Sequence, residues 1–154
     1  MKKKIFLWIL VISWMALIFY FSAQNAESST NQSRAIVDKT IVVDKYSENK
    51  SEEEKEELRE SIDRVLRKVA HASVFFVLAI LVCFLVKEYT LDIKKILLIG
   101  IIICFLYSCS DEIHQLYVIG RSGEVRDVII DNIGACFGYL VFYLSGRKIW
   151  KKSN

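Results

Sequence analysis

A chain of 154 residues that is 53% hydrophobic and 25% charged, with a mean hydropathy of +0.31 and no proline, is too apolar for a water-soluble domain of its size. It is also too charged to lie in lipid along its whole length, so the charge must be segregated. The formal balance of +3 is small and its basic residues fall in short flanking clusters, which excludes a nucleic-acid-binding face.

The first apolar run, 5–21, follows Lys2-Lys3-Lys4 and is interrupted by Ser13 alone. A secretory signal has a shorter apolar stretch and a small-x-small cleavage site, so this run is read as a retained membrane anchor. Residues 22–68 follow as the one substantial extramembrane segment. Its beginning, 22–33, is small and polar like a loop, whereas 51–68 has the composition of a helix. Ser51 and Glu54 offer a capping box, acids crowd the first turns and bases the last, and Leu58, Ile62, Val65, Leu66 and Val69 make an apolar stripe. That pattern predicts a helix along the membrane surface, able to continue into the next span.

Three further apolar runs occupy 69–86, 96–111 and 128–144, with Gly120 and Gly123 marking a turn between the last two. A helix needs about 20 apolar residues to cross roughly 30 Å of hydrocarbon, so most of these runs are slightly short and call for snorkelling ends or local thinning. The expected fold is all-α: an integral membrane four-helix bundle with an extracytoplasmic amphipathic helix between helices 1 and 2. It forms a single domain, 1–154, without internal repeats.

Lysine and arginine near the span ends set the orientation. Four spans put both termini on one side, together with Lys2, Lys3, Lys4, Lys87, Lys94, Lys95, Arg147, Lys148, Lys151 and Lys152. The other side holds Arg121, Arg126 and a long segment rich in acids, and only Arg64, Arg67 and Lys68 argue against it. Both termini are therefore expected in the cytoplasm. It follows that His71 at the start of span two, Asp111, Glu112 and Gln115 at the end of span three, and Asp127 and Asp131 at the start of span four meet at the outer face.

Helical phase sharpens that convergence. Asp127, Asp131, Gly134 and Gly138 form one stripe, and Gly134 and Gly138 make a G-x-x-x-G motif that permits close helix approach. Cys104, Ser108, Asp111, Glu112 and Gln115 share a face from which His114 points away, and Arg64, Lys68, His71 and Phe75 line up on span two. Ionisable groups at bilayer depth cost roughly 2.5–3.5 kcal/mol each on insertion scales. Keeping several of them marks a candidate site, a small hydrophilic pocket open to the outside.

The residues that leave span one (Phe21-Ser22-Ala23-Gln24), those entering span two (Arg67-Lys68-x-Ala70-His71 with Phe75-Phe76-x-Leu78), then Ser110-Asp111-Glu112-x-His114-Gln115, Gly120-Arg121 and Arg126-Asp127-x-x-x-Asp131-Asn132-x-Gly134 together resemble the VanZ-like membrane proteins. The resemblance spans almost the whole chain. It departs at Ile119, where the family often has proline, and in the charged insert at 47–60. It implies a multi-pass protein of the bacterial plasma membrane, linked through the family's name to teicoplanin, a lipid-tailed glycopeptide antibiotic acting on cell-wall precursors outside the membrane. The name records a phenotype and assigns no reaction.

Within the pocket, His71 with Asp111 or Glu112 is the candidate acid–base pair. Arg121 and Arg126 are placed to grip an anionic head group, with Lys68, Gln115, Asp127, Asp131 and Asn132 as further ligand-binding candidates. Ser108 and Ser110 lie close by, but neither has the surroundings of an activated nucleophile. The acids and His71 include metal-ligand types, yet there is no H-E-x-x-H and the two histidines are remote in sequence, so neither a metal nor another cofactor is expected. The four cysteines (Cys83, Cys104, Cys109, Cys136) lie in or beside spans and read as small hydrophobes rather than a disulfide framework.

Several readings stay open. Asp127 and Asp131 could pair with Arg121 or Lys68 and simply lock helix order, and Gly134 and Gly138 read most simply as packing residues. In functional terms, the pocket would bind or modify a lipid-linked anionic envelope molecule such as a cell-wall precursor. Alternatively the chain is a scaffold that recruits a cell-wall enzyme through its charged outer helix. A proton or ion pathway is disfavoured, because the inner halves of the spans are nearly devoid of polar groups.

Overall fold

The computed structural model describes residues 1–24, 51–121 and 123–150, the side chains of 52 and 147–150 excepted. The loop predicted at the start of the outer segment and the basic cluster at 147–152 lie outside the described residues or side chains. Among the described residues the fold is four α-helices: α1 (Lys2–Ser22), α2 (Glu52–Lys87), α3 (Ile93–Gln115) and α4 (Val125–Trp150). Each is long and apolar enough to cross a membrane.

The predicted capping box forms as drawn, with Ser51 Oγ accepting from the Glu54 amide at 3.3 Å and Glu54 Oε2 accepting from the Ser51 amide at 2.9 Å. The helix expected at 51–68 runs on without a break into the second span. Neither Gly nor Pro occurs between Ser51 and Lys87, so nothing breaks the hydrogen-bond ladder. The charged segment and the second span are one helix of 36 residues, about 54 Å long at 1.5 Å per residue.

Contacts give the helix directions. Gly134 of α4 lies against Ala72 of α2 and Gly138 against Phe76, so α2 and α4 run parallel. Trp14 Nε1 of α1 donates to the Val74 carbonyl at 2.9 Å, and the Tyr107 hydroxyl of α3 donates to the Met15 carbonyl. At one end of the bundle Lys3 pairs with Glu88, Trp8 Nε1 donates to the Tyr89 hydroxyl at 2.9 Å, and Lys4 Nζ stands 4.3 Å from the Tyr89 ring centroid. The core between the helices holds Phe75, Leu78, Ala79, Val82, Cys83, Ile96, Cys104 and Ala135. Outward lie Ile5, Phe6, Ile9, Leu98, Ile102, Phe105, Phe137 and Leu140, all exposed. An apolar girdle of that extent is stable only in lipid.

The α2–α4 seam depends on the absence of side chains. A Cβ on Gly134 would stand 2.0 Å from the Ala72 carbonyl oxygen, and one on Gly138 would stand 2.5 Å from that of Phe76. Backbone cannot rotate aside as a side chain can. Gly134→Ala is therefore expected to destabilise the bundle by about 1–3 kcal/mol, read as a lower midpoint of thermal unfolding in detergent. Cys136→Ala, on the exposed side of the same helix, should stay within about 0.5 kcal/mol.

Candidate functional site

The end of the bundle opposite Lys3 and Glu88 gathers the polar side chains. α3 positions most of them, because its buried face runs Ile96, Gly100, Cys104, Ser108, Asp111, Glu112, Gln115, the face expected from helical phase. Asp111 and Asp131 have no solvent exposure, while Glu112 and Gln115 retain 6% and 4%.

Each acid is met by donors from elsewhere. Ser22, the last residue of α1, donates to Asp111 Oδ2 at 2.6 Å. Gln115 Nε2 donates to the same oxygen at 3.1 Å and to Glu112 Oε1 at 3.0 Å. Glu112 Oε2 accepts the Glu124 backbone amide at 2.9 Å, which ties the entry of α4 to the end of α3. Ser108 Oγ donates to Asp131 Oδ2 at 2.9 Å, and His71 Nδ1 faces Asp131 Oδ1 at 3.6 Å.

Above the acids, Arg121 donates from one guanidinium nitrogen to Gln115 Oε1 at 3.3 Å and from the other to the Phe21 carbonyl at 3.5 Å. The turn that carries it contains Gly120 at φ 78°, a left-handed conformation that favours glycine. Gly123 follows, where a Cβ would stand 2.6 Å from the Glu112 carbonyl. Burial, and then the nearby Arg67 guanidinium, lower the proton affinity of Arg121 from its ordinary value, while Asp111, Glu112 and Asp127 pull it upward. Two like-charged guanidiniums thus stand near each other at the mouth of an acidic cluster.

The profile of the VanZ/LLP1 family matches residues 6–146. The chain belongs to the VanZ/LLP1 family. No curated protein and no solved structure matches it.

In this VanZ/LLP1 chain, His71, Asp111, Glu112, Gln115, Arg121 and Asp131 come together at one end of the bundle. The partner of His71 differs from expectation. It is Asp131, because the glycine seam draws α2 and α4 together one turn below, whereas Asp111 and Glu112 are engaged by Ser22, Gln115 and Glu124. Asp127, in the first turn of α4, is half-buried at the edge of the cluster. Three candidates are not drawn into the hydrogen bonds of the cluster among the described residues. Asn132 Nδ2 bonds back to the Val128 carbonyl of its own helix at 2.7 Å, Arg126 is exposed, and Lys68 is half-buried. His114 stacks on Phe19 with ring centroids 4.0 Å apart, clear of the acids as helical phase requires.

The site-facing stripe of α2 is also shifted. Arg64 is exposed and bonds to Ser61 at 3.0 Å, while Asp63 is buried and pairs with Arg67 at 3.0 Å. Asp63, Arg67, His71 and Phe75 follow one another at intervals of four, and that spacing was the signal for Arg67. Ser22 stands in the Phe21-Ser22-Ala23-Gln24 motif of the resemblance, but helical phase within one span gives no link from it to the acids of α3. Among the described residues no group of three His, Cys, Asp or Glu side chains is arranged to hold a metal ion.

The hydroxyl donors predict a graded response. Ser22→Ala and Ser108→Ala each leave a buried carboxylate oxygen short of a donor and should cost about 1–3 kcal/mol. Unfolding of Ser22→Ala, Asp111→Asn and the double variant in detergent should give non-additive losses. Strict additivity would mean that Ser22 and Asp111 are not bonded in the solubilised protein.

Proposed function

We propose that this VanZ/LLP1 protein lies in the bacterial plasma membrane with both termini in the cytoplasm, and that its polar cluster opens outward. There it binds or modifies the head group of a lipid-linked anionic envelope molecule, and so alters susceptibility to glycopeptides of the teicoplanin type. The observation that supports this most is the joining of two buried acids of α3, Asp111 and Glu112, to Arg121 through Gln115.

The chemistry follows from those groups. Arg121, with Arg67 behind it, supplies planar donors that suit phosphate or carboxylate oxygens. His71 beside Asp131, 3.6 Å apart, is the pair best placed to exchange a proton with a bound molecule. Asp111 and Glu112, first considered as acid–base partners of His71, serve on this reading to hold Gln115 and through it Arg121. The scaffold reading retains one favourable observation, the continuation of α2 beyond the length of a span as a charged helix. It would present its acids and bases to a wall enzyme.

Two experiments bear on the proposal. In a cysteine-free background, Tyr117→Cys at the site end should react with an impermeant maleimide added outside intact cells. Leu91→Cys at the opposite end, also exposed, should react only after permeabilisation; the reverse pattern refutes the orientation. Native mass spectrometry of the purified chain should show co-purifying anionic lipid that Arg121→Ala loses by about tenfold or more. Equal retention in the two forms removes the head-group role, and a resistance phenotype sensitive only to changes at 51–68 favours the scaffold.

A further inference from the structure

The lipid-facing surface does not stop where α3 and α4 meet. On α3 the exposed face runs Leu98, Ile102, Phe105, Ile113 and the C-capping Leu116, and on α4 it runs Phe137, Ile133, Ile129, Val125 at intervals of four. Both stripes lead into the turn between the two helices, where Tyr117 is 82% exposed and Ile119 87%, with Val125 at 78% just beyond. In water, large apolar side chains so exposed would form an unpartnered patch. Here they continue a surface that already faces lipid.

Helix length gives the level of that turn. About 20 helical residues cross roughly 30 Å of hydrocarbon. Counted from Lys95 at the opposite end of α3 they finish at Gln115, and counted from Lys87 on α2 they finish at Arg67. Two helices thus reach the boundary independently, and Arg121, bonded to Gln115 at 3.3 Å, stands beside it. The chain then folds back at once: the Val118 amide donates to the Gln115 carbonyl at 3.0 Å, the Arg121 amide to the Val118 carbonyl at 3.1 Å, and the Glu124 amide to Glu112 at 2.9 Å. So short a turn stays within the head-group layer, about 5–7 Å thick on each side. Tyrosine is favoured there, and the long side chain of Arg126, exposed next to Val125, reaches phosphate oxygens from the same level.

We infer that the α3–α4 turn is a membrane anchor, seated in the head-group layer of a phospholipid leaflet with Tyr117 and Ile119 in contact with lipid. Lipid is the occupant of this apolar face because the face is continuous with the girdle and lies at bilayer depth. The anchor holds Arg121 at the level of the lipid phosphates and keeps Asp111 about one helical turn, some 5–6 Å, beneath the hydrocarbon boundary. The inference rests on exposure and helix length, so it stands for either orientation of the chain and apart from the head-group reading. A thiol at this level still reacts with a polar maleimide, so the sidedness of labelling at Tyr117 is unaffected.

The test is spin-label accessibility on the full-length, cysteine-free chain in vesicles of phosphatidylethanolamine and phosphatidylglycerol. The nitroxide is placed at Ile119→Cys and, separately, at Tyr117→Cys, both exposed positions where substitution leaves the packing intact. Phe105→Cys on the girdle is the lipid-facing reference, and Glu57→Cys, exposed on the charged part of α2, is the aqueous one. Relative to position 57, labels at 117 and 119 should meet a water-soluble nickel chelate severalfold less often and dissolved oxygen more often, because lipid excludes the chelate and dissolves oxygen. Accessibility to both reagents equal to that at 57 puts the turn in water and overturns the inference. Protection from both reagents means that protein covers the turn, either residues 25–50 or a second copy of the chain, and overturns it equally.

Discussion

Burying a carboxylate costs several kcal/mol unless donors meet it, and this chain buries two without exposure, Asp111 and Asp131, at the end of a bundle surrounded by lipid. The donors have to come from other helices or from the next turn, and in coming they fix how the helices stand. Ser22 reaches Asp111 only if α1 ends level with the last turns of α3. Ser108 reaches Asp131 only if α4 begins where α3 is ending. A slip of one helical turn, about 5.4 Å, would take Ser22 away from Asp111 or Ser108 away from Asp131. The polar end therefore acts as the register of the fold, while the apolar body, lipid-like on its outer face, tolerates sliding.

The glycine seam supplies what the hydrogen bonds cannot. Between apolar helices in lipid there is little hydrophobic force, and close contact depends on small residues. Gly134 and Gly138 let α4 approach the backbone of α2 at Ala72 and Phe76. That approach brings His71 to Asp131 one turn away. The features assigned to packing and to chemistry are thus coupled: the seam sets the separation across which the imidazole and carboxylate face each other, and widening it would separate them before it unfolded the bundle.

How much of this was legible in the sequence differs by element. The four spans and the buried face of α3 follow from composition and phase alone, since a helix surrounded by lipid turns its few polar residues inward. The unbroken length of α2 was open in the sequence, because a surface helix and a projecting one share the same composition. Only the continuous hydrogen-bond ladder between Glu52 and Lys87 distinguishes them. The neighbour of His71 is likewise not given by phase. Phase tells which face a residue occupies, but the height at which two helices cross is set by the glycine contacts. Ser22 and the Glu124 amide were illegible as site members, since an ordinary serine and a backbone N–H carry no distinguishing chemistry until a buried acid stands opposite.

Polarity along α3 bears on what kind of site this is. From the site end its buried face reads Gln115, Glu112, Asp111, Ser108, Cys104, Gly100, Ile96: amide, two acids, hydroxyl, thiol, no side chain, alkyl. Below Ser108 the neighbours are Cys83, Leu78, Val82 and the Tyr139 ring packed toward Gly100, with no carboxylate, imidazole or basic side chain on this buried face among the described residues. A conduction path needs sites at every depth, and this gradient does not supply them. On the proposed head-group reading a ligand would come and leave past Arg121, which requires reversible binding there. A guanidinium already shared with Gln115 and the Phe21 carbonyl suits that requirement, because it can exchange protein acceptors for ligand oxygens with little net change in hydrogen bonding.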